Sequence, residues 1–147
     1  MRNKTFKIFL FIAFILAIGI VGNKLIFEPK IKILKVGNAV FTVEIADTPY
    51  KQFRGLSGRK ELSENHGMLF IFADKNYHNF WMKGMMIPLD FLWINGGKVV
   101  EITENVKPED YQPPKSFTSK FPADEVLEIN AGTARKLNLK VGDKVGF

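Results

Sequence analysis

Five short apolar segments, separated by polar or turn-forming residues, constrain the fold more than any other feature of the chain. They are GMLFIF, HNFWM, LDFLWI, KVVEIT and EVLEIN, and each is rich in aromatic or branched side chains. Segments of this length and composition are typical of β-strands. A sixth segment at 39–46 alternates, with Phe41, Val43 and Ile45 on one face, which predicts a half-buried strand.

Turn and helix signals lie between these segments. Asn95-Gly96-Gly97 predicts a hairpin turn between LDFLWI and KVVEIT. Thr48 as a cap, Pro49 at the first helical position and Gly55 as a stop predict a helix of about two turns. A second short helix is expected at AGTARKL, and a turn with a final strand at VGDKVGF. The pattern predicts a mostly β domain with short helices (α+β), a compact single β-sandwich or barrel-like domain.

Two longer stretches receive other interpretations. Residues 105–124 contain four prolines and are expected to form a long loop. Residues 80–94, FWMKGMMIPLDFLWI, are interpreted as one arm of a core hairpin, in which Trp81 and Trp93 supply large buried areas.

The N-terminus predicts export. A basic flank, MRNKTFK, precedes fourteen uncharged apolar residues at 8–21, which form a helix of about 21 Å. This length fits a signal peptide, whereas the wider window 6–27 reaches about 33 Å and fits an anchor that spans the bilayer. Both alternatives stay open, and the poor cleavage site at 17–19 favours the uncleaved anchor.

These features predict three parts: a signal peptide or signal anchor at 1–22, a tether at 23–33 and an exported β-rich domain at 34–147. The expected location is the cell membrane, single-pass, with the C-terminal domain outside the cytoplasm. If the segment is cleaved, the domain is secreted. The membrane is thus one predicted partner, and an envelope ligand or protein of unknown identity is the other.

Composition excludes several chemistries. The chain has no cysteine, so thiol nucleophiles, disulfides, cysteine-ligated zinc, iron–sulfur clusters and a lipoprotein anchor are excluded. The net charge is +6, but outside the N-terminal flank the lysines are scattered among acids, which predicts no nucleic-acid partner. We find no phosphate-binding glycine motif and no Gly-x-Ser-x-Gly, and we predict no cofactor.

Soft-metal ligands cluster in the middle of the chain. His78, Met82, Met85 and Met86 lie within nine residues, and thioether and imidazole groups suit Cu(I). Methionine also fills irregular gaps in hydrophobic cores, and this is the favoured interpretation.

Two carboxylates are candidates for a site. Asp90 enters an apolar strand, where a buried charge requires a cation or backbone donors, and Lys83 and Arg54 are the expected cations. Glu128 is expected to face solvent, with the alternative that it faces a cleft together with Asp90 as a glycosidase-like pair. The candidate ligand-binding residues are Arg54, Trp81, Lys83 and Asp90.

Several motifs in one order resemble a known family. GLSGR, GMLFIF, FWMKGMMIPLDFLWI and EVLEINAGTARKLNLKVGDKV make the chain similar to the domain of unknown function 192, also called uncharacterised protein family 0127, over about residues 34–147. The resemblance implies a compact β-sandwich or barrel-like domain and no established reaction. Its signature residues would be Arg54, Gly55, Gly67, Met68, Phe70, Trp81, Met82, Pro88, Leu89, Asp90, Leu127, Glu128, Gly132, Gly142 and Asp143.

The chain departs from the family pattern at one point. Gly84-Met85 stands where the family usually has Asn-Thr, so a site that uses this polar pair would be altered. No catalytic constellation is complete, and the leading hypothesis is therefore a non-enzymatic binding or accessory module of the envelope. The alternatives are a hydrolase that uses Asp90 and Glu128, with a saccharide as substrate, and copper binding through Met and His.

Overall fold

The computed structural model describes residues 29–111 and 115–147, without the side chains of 110 and 111. The predicted signal segment at 1–22 lies outside the described residues. None of the helices in the described part of the chain has the length and apolar character that a membrane span requires.

Nine strands and two short α-helices make up the folded unit. The strands are β1 (Ile31–Val36), β2 (Ala39–Ala46), β3 (His66–Asn76), β4 (Asn79–Trp81), β5 (Leu89–Asn95), β6 (Lys98–Val106), β7 (Ser116–Thr118), β8 (Ala123–Asn130) and β9 (Val145–Gly146). The helices are α1 (Pro49–Arg54) and α2 (Thr133–Lys136), with a 3₁₀ turn at Pro108–Tyr111. The predicted mostly β fold with short helices is confirmed.

Seven strands form one curled sheet in the order β6-β5-β8-β3-β2-β1-β9, and β4 pairs with β7 in a separate two-stranded sheet. Among the strands of the described residues, β2 and β3 are the one parallel pair, and α1 lies in the crossover that a parallel pair requires. Residues 89–94 of β5 and residues 126–129 of β8 are buried on both faces, because a hydrophobic cluster packs on each face of the sheet.

Each face of the sheet carries its own hydrophobic cluster. One cluster contains Phe41 and Leu127 and is completed by Ala134 of α2. The other contains Phe91 and Trp93, and it is completed by Phe80 of β4 and by Leu56, Met82 and Ile87 from the connections. The strand predicted at 39–46 is confirmed, with Phe41, Val43 and Ile45 buried in the first cluster.

The local turn and helix signals are also confirmed. The Thr48 hydroxyl accepts a hydrogen bond from the Lys51 amide at 3.4 Å, Pro49 begins α1, and Gly55 ends it at a φ of 49°. Gly96 and Gly97 both have positive φ, as a two-residue hairpin turn between β5 and β6 requires.

Three sequence expectations are corrected. The strand β1 begins at Ile31, so residues 31–33, which were predicted to be part of the tether, belong to β1. The stretch 105–124 is not only a loop, because it contains the 3₁₀ turn and β7. Residues 80–94 are not one hairpin arm, since β4 pairs with β7 whereas β5 pairs with β6 and β8.

Candidate functional site

Glu128 is the most unusual side chain in the described domain. It lies on β8, between Met68 of β3 and Phe91 of β5, and is only 5% exposed. Desolvation by burial raises the pKa of its carboxyl group to about 8, so the group is mainly protonated at neutral pH. In residues 29–111 and 115–147, Glu128 Oε2 is the only buried side-chain nitrogen or oxygen without a hydrogen-bond partner.

A cavity of about 310 Å³ opens beside this carboxyl group. Its walls come from α1 and the three residues that follow it, from β3, from His78 and β4, and from Met85, and Glu128 contributes from β8. A volume near 300 Å³ is at the small end of pockets that hold organic ligands. The cavity includes six rings: Phe53, Phe70, Phe72, His78, Phe80 and Trp81.

The rings meet at steep angles. Phe53 of α1 and Trp81 of β4 are 5.9 Å apart at 80°, and both are exposed at the mouth. Deeper in, Phe80 meets Phe70 at 77° and Phe72 at 85°, whereas His78 stacks on Phe72 with centroids 3.6 Å apart. Edge-to-face contacts of this kind are favourable and hold each ring in a defined orientation.

Other polar side chains in the walls already have partners. Gln52 Nε2 donates to the carbonyl oxygens of Ala46 at 3.3 Å and Ile71 at 2.8 Å, and Ser57 Oγ donates to the Lys83 carbonyl at 2.9 Å. Asn79 Oδ1 accepts a hydrogen bond from the Thr118 hydroxyl. Among the described wall residues, Glu128 Oε2 is therefore the one buried side-chain nitrogen or oxygen without a hydrogen-bond partner.

Asp90 has a structural role, and the prediction that Lys83 or Arg54 pairs with it is wrong. Its carboxyl group is fully buried, with Oδ1 accepting from the Asn105 amide at 2.8 Å and Oδ2 from the Ala134 amide at 3.0 Å. Two backbone donors thus satisfy both oxygens and connect β5 to the end of β6 and to α2. Lys83 is exposed, and Arg54 Nη1 lies 3.5 Å from the Tyr50 hydroxyl instead.

Asp90 and Glu128 do not share a cleft. The register of β5 and β8 pairs Asp90 with Ile129 and Phe91 with Glu128. Because side chains alternate along a strand, the two carboxyl groups lie on opposite faces of the sheet. The structure therefore does not form the glycosidase-like pair.

The two tryptophans have different environments. Trp93 is fully buried and donates from Nε1 to the Thr103 hydroxyl at 2.9 Å. Trp81 is 41% exposed, so the expectation that it fills the core is wrong. The three-residue strand β4 buries Phe80 instead and places Trp81 at the cavity mouth.

The four soft-metal candidates have different environments. Met82 is buried in the core, whereas Met86 is 54% exposed. His78 and Met85 both line the cavity. The described residues contain no group of three or more His, Asp or Glu side chains that could hold a metal ion.

Of the four predicted ligand-binding residues, Arg54 and Trp81 line the cavity, whereas Lys83 and Asp90 do not. Sequence reasoning missed Phe53, Phe70 and Phe72 as wall residues. One feature of Phe53 did point to a site. The short helix α1 leaves this phenylalanine exposed, and a large exposed apolar side chain can mark a binding surface.

The comparisons with known proteins agree with this fold. Residues 32–147 match the model of a family described as "Uncharacterized ACR", domain of unknown function 192. The chain is 29% identical over 111 residues to the UPF0127 protein TK1120 of Thermococcus kodakarensis, a match that covers 71% of this chain and 64% of that protein. The chain thus spans less than two thirds of that relative's length.

Two crystal structures are similar. A protein of unknown function from Novosphingobium aromaticivorans has a TM-score of 0.74 and 34% identity, over 80% of this chain and 85% of that one. A putative transcription regulator from Sinorhizobium meliloti has a TM-score of 0.75 and 32% identity, over 81% and 95% of the two chains. The resemblance inferred from the sequence motifs is confirmed.

Proposed function

The chain belongs to the family of domain of unknown function 192, and from this premise we propose that it is a binding module for a small ligand. The ligand places its apolar body against the rings of the cavity and a hydrogen-bond donor against Glu128. The observation that carries the proposal is the buried Glu128 Oε2, which lacks a partner beside a cavity lined with rings.

Energetics support this assignment. A buried polar atom without a partner costs on the order of 1 to 3 kcal/mol, and an apolar side chain would avoid that cost. Native proteins contain few such atoms, and a strongly perturbed carboxyl group beside a cavity is a candidate functional group. A ligand that donates to Oε2 restores the missing interaction on binding.

Binding is favoured over the two alternatives. A hydrolase that uses Asp90 with Glu128 needs both carboxyl groups beside one substrate, and they are on opposite faces of the sheet. Copper binding is less favoured because core packing already accounts for Met82, which is buried, and because Met86 is exposed.

A role in transcription has little support in this chain. The S. meliloti protein is named as a regulator of transcription, and regulators of that kind commonly bind nucleic acid through a dense basic surface. Here the lysines of the β-rich domain are scattered among acids, which does not favour a nucleic-acid partner.

We also propose that the domain works in the cell envelope. The basic flank and apolar run at the N-terminus support an anchor or a signal peptide, with the β-rich domain on the far side of the membrane. The ligand would then come from outside the cytoplasm.

Native mass spectrometry of the full-length chain, purified from its own membranes, tests the binding proposal, together with a fragment screen by ligand-observed NMR. We expect a retained small molecule or bound fragments, and loss of binding in Phe53→Ala and Trp81→Ala. Val141→Ala is the matched control, because Val141 is exposed and lies outside this cavity. The proposal is wrong if no adduct is found and no fragment binds, or if binding survives both wall substitutions.

A further inference from the structure

The shape and polarity of the cavity restrict the chemistry of the ligand. Phe53 and Trp81 form a right-angled corner at the mouth, and Phe80 meets Phe70 and Phe72 at 77° and 85° deeper in. Phe53 and Trp81 are exposed, so their rings are open to a ligand at the mouth, whereas Phe70 and Phe80 are buried behind them. An exposed aromatic pair can bind an organic cation, because the negative face of a ring attracts positive charge.

The hydrogen-bonding groups of the wall select a donor on the ligand. The amide nitrogen of Gln52 and the hydroxyl of Ser57 donate to backbone carbonyls. The open group is the Glu128 carboxyl group at Oε2, which only accepts hydrogen bonds once it is ionised. A carboxyl group is also the one wall group that becomes a counter-ion for a cation when it loses its proton.

We propose that the ligand is a small organic ammonium ion, with its hydrocarbon part against the rings and its N–H groups directed to Glu128. This inference rests on the proposed binding function and narrows its ligand class. On binding, the O–H bond of Glu128 breaks and one proton leaves to solvent. The complex then contains a carboxylate paired with an ammonium ion.

The charges on the elements around Glu128 are compatible with the loss of its proton when an ammonium ion binds. Across the sheet, the side chains beside Glu128 are Met68 on β3 and Phe91 on β5, which carry no charge. Next to Met68 is Glu44 of β2, which forms a bidentate ion pair with Arg59 at 2.5 and 2.6 Å. This pair is neutral as a whole.

The cavity wall itself adds two groups that carry or can acquire positive charge. Arg54 follows Phe53 on α1 and is exposed, so solvent screens its repulsion of a bound cation. His78 stacks on Phe72, with Nε2 3.4 Å from the Asp74 carbonyl oxygen.

The inference makes binding dependent on pH. Burial holds the Glu128 carboxyl group protonated in the free protein up to about pH 8. Cation binding near pH 7 must therefore release about one proton, and the affinity must rise as the pH increases toward 8.

Calorimetry with 2-phenylethylammonium and its neutral analogue 2-phenylethanol tests the inference on the full-length chain. At pH 7, in two buffers that differ in ionisation enthalpy, we expect the amine to bind at least about tenfold more tightly than the alcohol. Release of about one proton should accompany only the binding of the amine.

In Glu128→Gln, the preference for the amine over the alcohol and the proton release should both disappear. Glu125→Gln is the matched control, because Glu125 is also on β8 and has a pKa raised by burial and Asp124, but lies outside this cavity.

The outcomes separate the inference from the function on which it rests. If the alcohol binds as tightly as the amine and both lose affinity in Trp81→Ala, the cavity binds ligands but the ammonium inference is wrong. If amine binding releases no proton, or survives Glu128→Gln unchanged, the inference is also wrong. If neither probe binds and no neutral aromatic fragment binds, both the inference and the proposed function fail. Circular dichroism of each variant establishes that it is folded.

Discussion

Asp90 and Glu128 are buried carboxyl groups on adjacent strands, one residue out of register, and they lie on opposite faces of the sheet. Asp90 accepts hydrogen bonds from the amides of Asn105 and Ala134, so both of its oxygens have partners. Glu128 Oε2 has none and lies beside the cavity. One acid therefore contributes to the fold, and the other is available to a ligand.

Asp90→Asn should destabilise the domain. The asparagine oxygen can accept only one of the two backbone hydrogen bonds, and its NH₂ group then faces the other N–H donor. We expect a loss of about 1 to 3 kcal/mol in the free energy of unfolding by urea. The control is Asp124→Asn, at an exposed contact with the Gly96 amide, where the loss should be smaller. Equal stability of Asp90→Asn and the parent would refute the anchoring role of Asp90.

Glu128 should make the stability of the protein depend on pH. The folded carboxyl group has a pKa of about 8, above the ordinary value of 4.5, so the folded state binds more protons between these values. The contribution of Glu128 to stability is therefore fully present below about pH 4.5 and is lost as the pH rises to about 8, by at most roughly 1.4 kcal/mol per pH unit.

Glu128→Gln removes this slope, and the variant should be more stable than the parent at pH 8.5 but similar to it at pH 5. Urea unfolding at several pH values is the measurement. The control is Glu64→Gln, because the hydrogen bond from Lys136 lowers the pKa of Glu64 and its titration lies below this window. An unchanged slope in Glu128→Gln would show that Glu128 does not titrate near pH 8.

The two tryptophans should respond differently to truncation. Trp81→Ala loses an exposed edge-to-face contact with Phe53, and we expect a cost of about 0.5 to 1.5 kcal/mol. Trp93→Ala empties a fully buried site and should cost about 3 to 5 kcal/mol. Denaturant unfolding of both variants measures the difference. Similar losses in the two would contradict the placement of Trp81 at the cavity mouth.

Gly67 should tolerate no side chain. A Cβ atom there would lie 2.6 Å from the Glu128 carbonyl oxygen and 3.0 Å from Ile129 Cγ2. Gly67→Ala must therefore separate β3 from β8, and we expect a loss of about 1 to 3 kcal/mol in stability. Gly146→Ala is the control, since nothing lies within 4 Å of its Cβ position. Urea unfolding measures the loss. If Gly67→Ala and the control unfold at the same urea concentration within error, the close approach of β3 and β8 is contradicted.

Much of the local structure follows from the sequence alone. The helix α1 was predictable because Thr48, Pro49 and Gly55 act through contacts within a few residues. The strand β2 was predictable because alternation along one segment defines its buried face. Both signals are local, so they do not depend on the rest of the fold.

The site depends on long-range pairing, and that is where sequence reasoning was wrong. Glu128 was expected to face solvent, but β8 lies between β5 and β3, and strand order cannot be read from one segment. A weak signal was present, since Val126, Leu127 and Ile129 put apolar side chains on both faces, as in a central strand. Trp81 was misplaced because a three-residue strand has too little alternation to define a face.

Export also has a direct test. A reporter enzyme that is active only outside the cytoplasm, fused after Phe147, should be active in the full-length fusion because the basic flank keeps the N-terminus inside. The same fusion without residues 1–22 is the control and should be inactive. Inactivity of an intact full-length fusion would contradict the proposed location.

The protonation state of Glu128 is the central physical claim, and a carboxyl ¹³C NMR titration of the glutamate-labelled chain measures it directly. Comparison with Glu128→Gln assigns the resonance. The account predicts that this carboxyl group titrates near pH 8 in the free protein, and that 2-phenylethylammonium shifts the resonance to the carboxylate position at pH 7. A Glu128 resonance that titrates near 4.5 in the free protein would contradict the account.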